Sequence, residues 1–423
     1  MAHSNSKLFQ PIRIGNLNLT HRVVLAPLTR FHADDAHVPT DLMVEHYAQR
    51  ASVPGTLLIA EATPVAAKAG GLANLPGIWS DAQVEGWTKV VDAVHSQGSY
   101  IYLQIWAMGR AADPSFLAQP DCPQNPGGPH PYVSSSDLPL SDRKGGVKPR
   151  PLTHEEIIEY IELFGQAAYN AVHRSGFDGV EVHGAHGYLI DQFTKDVCNK
   201  RTDMWGGSLE NRARFALEVL KKVTETVGEE RTAIRLSPFA DHRGECLRPT
   251  KTCSLIASRL ITDMGMPHPH PTFAYLVSRI REAYPRFSYL HVVEPRVAGV
   301  NDRTPRIGES LDFLRAIWKG PESEKNGSMF MAAGGYAAND ALRVAEETGD
   351  LIAFGRFYIS NPDLPVRIKK VIPFTPYSRA TFYLTGKVEG YNDYAFADEE
   401  TEARFVEWKR KNSGAGNRQF LPS

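Results

Sequence analysis

With 423 residues, 42% of them hydrophobic and 22% charged, the chain has the composition of a globular enzyme. It has room for roughly two or three average domains or for one large α/β barrel with insertions. A formal net charge of -1 and a pI near 7.0 offer no general field for nucleic acid or an anionic membrane surface. Cys122, Cys198, Cys246 and Cys253 lack paired spacing, which argues against a disulfide framework or a zinc site and for a reducing compartment. The stretch from Met1 to Lys7 has no apolar signal core, and no run approaches the ~20 apolar residues of a membrane span. The Pro422-Ser423 end is not a peroxisomal address, so a cytoplasmic location is expected.

Residues 8–20 alternate apolar and polar side chains around Gly15-Asn16, the pattern of a hairpin that could cap the bottom of a barrel. Residues 23–28 read as a first buried strand, with a helical stretch near 42–49. A second strand is expected over 57–61 and its helix over 81–97, with Trp87, Val90, Val91 and Val94 on one face and Gly98 as the stop. A third strand follows over 100–106. Residues 112–150 are rich in Pro, Gly, Asp and Ser and read as an excursion over one face, because the strand–helix rhythm resumes directly afterwards.

Thr153 with Glu156 forms a capping box for a helix that carries Ile157, Ile161, Phe164, Ala168 and Val172 on one stripe and stops near Gly176. A fourth strand from Gly179 ends at His183. An amphipathic helix over 208–227 leads to a fifth strand over 232–237. A segment containing Pro and His, 241–271, then interrupts the pattern. Further strands are expected over 289–294, 328–332 and 350–354, with helices at 309–319, 338–347 and 362–371. Eight apolar strands alternating with helices, with no G-x-G-x-x-G and no Walker-type loop, point to a (β/α)8 TIM barrel with an N-terminal hairpin cap and loop insertions at its C-terminal face. Residues 1–395 form this single domain in that reading, and 396–423 a C-terminal tail.

The carboxyl ends of barrel strands meet at one mouth, and here they carry an unusually polar set. Pro27, Leu28 and Thr29 follow the first strand, and Ala62 the second. Gln104 and Trp106 end the third, and Arg235 lies in the fifth. Gly334-Gly335 and Gly355-Arg356 follow strands seven and eight, where barrels bind phosphate through backbone N–H groups. The alternative is that these glycines are turns and Arg356 a surface charge. Arg235 either bridges to an acid such as Glu61, the favoured reading, or faces an anionic ligand. Gln104 could read a pyrimidine-like edge or satisfy core backbone. His183 and His186 could ligate a metal, but no third ligand is indicated; a structural pair is the next reading, and two hydrogen-bond donors to a substrate oxygen the preferred one. Tyr188 is protonated at neutral pH and could serve as a general acid, although a lone tyrosine more often packs.

Several ordered motifs carry a family resemblance. They include Ala26-Pro27-Leu28-Thr29-Arg30, Gln104-Ile105-Trp106, the run from Val182 to Leu189, the run from Arg201 to Arg212, Arg235-Leu236-Ser237-Pro238, Val293-Glu294-Pro295-Arg296, Phe354-Gly355-Arg356-Phe357 and Ser360-Asn361-Pro362-Asp363. From about Leu8 to Tyr394 the chain resembles the old yellow enzymes, FMN-dependent NAD(P)H ene-reductases on a (β/α)8 barrel, and within them the 12-oxophytodienoate reductase-like branch. Thr29 in place of a cysteine resembles yeast and plant members, and the second histidine, His186, resembles plant members.

The resemblance implies that Pro27, Leu28, Thr29, Ala62, Gln104 and His183 line a non-covalent FMN, with Thr29 tuning its potential. It further implies that Arg235 lies near the flavin N1 edge and that Gly334, Gly335, Gly355 and Arg356 hold the phosphate. His183 and His186 would bind an enone oxygen, flavin N5 would deliver hydride to the β-carbon, and Tyr188 would protonate the α-carbon. NADPH or NADH would re-reduce the flavin in the same pocket, giving ping-pong kinetics. Trp106, Phe239 and Tyr383 would wall the substrate pocket, with Tyr336 a further candidate. Neither metal, nucleic acid nor membrane is expected as a partner, and monomer or homodimer stays open. The alternatives are a flavin-dependent isomerase or dehydrogenase of a biosynthetic pathway and a non-catalytic flavin-binding barrel. Ala62 stands where many members have glycine, and segments 112–150 and 241–275 match no family pattern closely.

Overall fold

The computed structural model describes residues 3–141, 146–241, 263–298 and 301–413. Its centre is built from eight short, mostly apolar runs of three to eight residues, most of them carrying β-branched or aromatic side chains. They form β1 (Val23–Leu25), β2 (Leu57–Pro64), β3 (Tyr100–Trp106), β4 (Gly179–Gly184), β5 (Thr232–Leu236), β6 (Tyr289–Val293), β7 (Met329–Ala333) and β8 (Leu351–Phe354). All pairs are parallel, neighbours follow chain order, and β8 pairs back to β1, so the sheet closes into a (β/α)8 barrel. β1 is shorter than the expected 23–28 because Pro27 has no N–H to give the ladder.

Helices cover the outside with local signals that the sequence supplies. The helix Asp81–Ser96 starts in a capping box between Ser80 and Gln83, and Trp87, Val90, Val91 and Val94 face the sheet. The helix His154–Tyr169 starts in the expected Thr153/Glu156 box and ends in a π-helical turn, Asn170–Arg174, before Gly176 reverses the chain at φ +83°. Leu209–Val227 is capped by Ser208. Two helices of 15 residues lie where none is expected. Pro269–Ala283 precedes β6, its start obscured by the Pro- and His-rich run before it. Glu399–Ser413, in the expected tail, lays Phe405 against Ala48 and Ala93 and ties Lys409 to Glu45 at 2.6 Å. Within the 112–150 excursion, Val133–Ser134 pairs with Arg150–Pro151. Most of the 241–275 segment, residues 242–262, lies outside the described residues.

The N-terminal hairpin pairs Ile12–Ile14 with Leu17–Leu19 across Gly15-Asn16 and closes the bottom. Gly15 donates its N–H to Gly327 O at 2.8 Å, just ahead of β7, and a Cβ there would sit 2.1 Å from Glu230 O. Only glycine fits that φ of +49° and that approach. Above the hairpin the interior is a packed layer that includes Tyr102, Tyr289, Met329 and Met331. The barrel is filled at the bottom and polar towards the top, and that contrast positions the site.

Candidate active site

Side-chain alternation decides what reaches the axis. On β4, Val180 and Val182 pack into the apolar shell with the helices, so Glu181 and His183 are left facing inward. In register with them are Gln104 opposite Glu181 and Arg235 opposite His183; His291 stands opposite Arg235. A polar tier therefore lies between the packed bottom and the mouth.

Above it opens a cavity of about 220 Å³. Pro27, Leu28, Thr29, Ala62, Gln104, Trp106, His183, His186, Tyr188, Arg235, Gly334, Gly335, Gly355, Arg356, Tyr336 and Tyr383 all line it, so the barrel gathers residues from seven strand ends into one place. Phe239 is the exception. The chain turns outward through Ser237-Pro238, and the Phe239 ring packs on Phe313 and His270 beside a second cleft. Sequence reasoning missed Phe382 and Val297 on the cavity wall, which follow no strand-end pattern.

The catalytic candidates form a ring cluster. Trp106 stands edge-on to Tyr188 at 4.6 Å between centroids and 6.0 Å from His183; His183 is 4.9 Å from Tyr188 and 5.7 Å from His186. Burial first, and the Arg235 cation next, hold the His183 pKa well below 6.5, so the ring is neutral. Its Nδ1 accepts the Ala185 N–H at 3.3 Å, which leaves the proton on Nε2 as a donor. The loop that carries His186 and Tyr188 is pinned. His186 sits at φ +57° and Gly187 at φ +77°. Their amides donate to Ser237 Oγ at 2.8 Å and Asp191 Oδ2 at 2.9 Å. Asp191 lies 3.6 Å from the fully buried Lys195, whose ammonium also donates to the carbonyls of Ser237 and Ala240.

Arg235 does not bridge to Glu61. The Glu61 carboxylate accepts the backbone N–H of Arg30 at 3.2 Å, while the acid acting on Arg235 is Glu181, on the neighbouring strand. Arg235 Nε has no hydrogen-bond partner among the described residues. At the far end, Gly334 (φ +124°) and Gly335 (φ +64°) turn the chain after β7. A Cβ on Gly335 would stand 3.4 Å from Asp302 Oδ1 and 3.5 Å from an Arg356 nitrogen. Asp302 forms an ion pair with Arg356 there, so a carboxylate already occupies the corner expected for phosphate. Among the described residues no group of three or more His, Cys, Asp or Glu could hold a metal ion, and no helix is long and apolar enough to cross a membrane.

This cavity fits FMN. An acceptor-and-donor edge (Gln104, Arg235) and an orphaned buried guanidinium nitrogen match a ring, and the Gly334-Gly335 turn beside Arg356 matches a phosphate that would take the place of the Asp302 carboxylate.

Comparison with known proteins agrees. The family model described as NADH:flavin oxidoreductase / NADH oxidase matches residues 7–374. A chanoclavine-I aldehyde reductase from Penicillium roqueforti is 47% identical over 94% of this chain and 98% of its own length. A probable inactive reductase from Epichloe festucae var. lolii is 42% identical over 94% of this chain and 97% of its own. The crystal structure of old yellow enzyme from Pichia sp. superposes with a TM-score of 0.79 at 35% identity, covering 94% of this chain and 95% of that one.

Proposed function

The chain belongs to the NADH:flavin oxidoreductase / NADH oxidase family, the old yellow enzymes, and from that premise we propose that it reduces the activated C=C bond of α,β-unsaturated carbonyl compounds with NAD(P)H. The observation that carries this reading is the convergence of a neutral donor imidazole, a second imidazole and a phenol on one cavity wall. Bound in the cavity, FMN supplies the hydride.

His183 Nε2 donates to the substrate carbonyl oxygen and draws electrons away from the conjugated carbon. His186, held at φ +57° by the Ser237 hydroxyl and the adjacent Gly187–Asp191 bond, presents the second imidazole to that oxygen. Tyr188 gives its proton to the α-carbon; its hydroxyl belongs to a ring wedged against Trp106 and His183, so its direction is fixed by packing. Trp106, fully buried, and Tyr383 wall the cavity with aromatic surface that excludes water.

The relative named a chanoclavine-I aldehyde reductase supports an aldehyde as one form of the activating carbonyl. The relative named probable inactive supports a second reading, a flavoprotein without this turnover. Tyr188 favours reduction over isomerisation, since the proton donor is in place. The test is spectroscopic. The purified protein should show a flavin spectrum that NADPH bleaches and 2-cyclohexenone or an enal restores without oxygen. Bleaching with no restoration across a panel of enones, enals, nitroalkenes and quinones would overturn the reading.

A further inference from the structure

The polar tier below the cavity contains a fully buried acid that the proposed reaction does not use. Glu181 accepts Gln104 Nε2–H at 2.7 Å on one carboxylate oxygen and faces His291 Nδ1 at 2.8 Å on the other. Its charge is also the largest influence sustaining the Arg235 cation against burial. Arg235 Nε and His291 Nε2 are buried without hydrogen-bond partners among the described residues. Two consequences follow from chemistry alone. A carboxylate only accepts, so the Gln104 amide must turn its NH2 to Glu181 and leave its carbonyl Oε1 for the cavity. A ligand there meets an acceptor beside a donor fork, the complement of an imide edge with N–H next to C=O. Secondly, the Arg235 cation is already offset by an acid on the adjacent strand, so the field it exerts on a ring above it is that of a balanced pair.

We propose that Glu181 is a positioning residue for the flavin: it fixes the Gln104 amide for the imide edge of the ring, and by offsetting Arg235 it keeps the flavin potential low. The inference rests on FMN occupying this cavity.

Glu181→Gln removes the charge and keeps the shape. With Arg235 no longer offset, the negative charge that accumulates on reduction is stabilised, and the oxidised–reduced equilibrium should move at least tenfold towards reduced, about 30 mV for a two-electron couple. Glu181→Asp keeps the charge but withdraws it from Gln104. It should leave the equilibrium within about twofold of wild type while weakening FMN binding about tenfold, one hydrogen bond to a charged group. The readouts are the midpoint potential by dye equilibration and the FMN dissociation constant by fluorescence quenching. A yellow Glu181→Gln protein with an unchanged potential overturns the charge role. A Glu181→Asp protein that binds FMN as tightly as wild type overturns the positioning role, and decides the matter if Glu181→Gln does not fold. A wild-type protein with no flavin spectrum would instead overturn occupancy of the cavity by FMN.

Discussion

Replacing Glu61 by glutamine should stabilise the protein above neutrality and change it little in acid. Glu61 is wholly buried on β2, one residue before Ala62 in the cavity wall. Its Oε2 accepts the Arg30 N–H at 3.2 Å, and its Oε1 has no hydrogen-bond partner among the described residues. Burial pushes its carboxyl from 4.5 up to about 7, against the Arg30 amide and the Arg30 charge, which pull it back. The folded chain therefore holds this proton more tightly than the unfolded chain does. Its contribution is fully present below 4.5, declines as pH rises through the window up to about 7, and is gone above it. At ~1.36 kcal/mol per tenfold change in proton affinity, the loss comes to about 3 kcal/mol.

Glutamine has no proton to lose, and its amide oxygen can still accept from Arg30; any cost of burying the amide does not depend on pH. Urea unfolding of both proteins from about pH 5 to about pH 8.5 gives the test. The comparison has to be a difference, because burial depresses the pKa of His21, His32, His46 and His183, and those groups make stability rise over an overlapping range. Relative to wild type, Glu61→Gln should gain about 3 kcal/mol across the window. A flat difference curve would refute the burial account and mean that ionised Glu61 is adequately matched by Arg30.

Tyr188→Phe should slow re-oxidation of the reduced flavin by enones at least ~100-fold and leave reduction by NADPH within about threefold, as stopped-flow absorbance would show. Equal losses in both half-reactions would contradict the acid role. Asp302→Asn should tighten FMN binding about two- to fivefold, because the carboxylate paired with Arg356 stands in the phosphate corner while being itself well exposed. Fluorescence quenching would measure this, and weaker binding would show that Asp302 instead orients Arg356. Gly334→Ala should weaken FMN binding about tenfold, since φ +124° is closed to alanine and its Cβ would press on Glu294 and Val297 at 3.1 Å. Wild-type affinity in that variant would remove the glycine pair from the cradle.

The strand ends were legible because each apolar run stops at a polar residue or a glycine, and closure of the barrel does the rest. Gln104, His183 and Arg235 could be placed at one mouth without knowing any distance. The partner of Arg235 was not legible by composition, since any buried acid satisfies the charge argument. The signal was alternation: a histidine at 183 that faces the axis puts Glu181 on the same face, and parallel register brings Arg235 alongside. Phe239 was misplaced for the opposite reason. Three residues beyond a strand, after Ser237-Pro238, periodicity no longer says which way a ring points. The helix Pro269–Ala283 begins with two prolines around a histidine, a start that reads as loop although proline suits the first helical turn. Asp302 could not be found, because it reaches Arg356 from a connection between β6 and β7 with no regular period.

The polar tier and the pinned loop answer one physical demand from two sides. A buried guanidinium is costly unless its charge and its donors are matched. Glu181 matches the charge of Arg235, yet Nε has no hydrogen-bond partner among the described residues, so these residues offset the cost only in part. The same incomplete matching does not occur one layer outward: Lys195 is fully buried too, but Asp191 and the carbonyls of Ser237 and Ala240 surround it. One buried cation is thus spent on holding the His186–Tyr188 loop rigid, and the other is left with donor capacity facing a cavity. Since both lie in the same protein interior, burial alone cannot explain the difference. What distinguishes them is position: Lys195 faces backbone, and Arg235 faces the place where a ring that gains negative charge would lie.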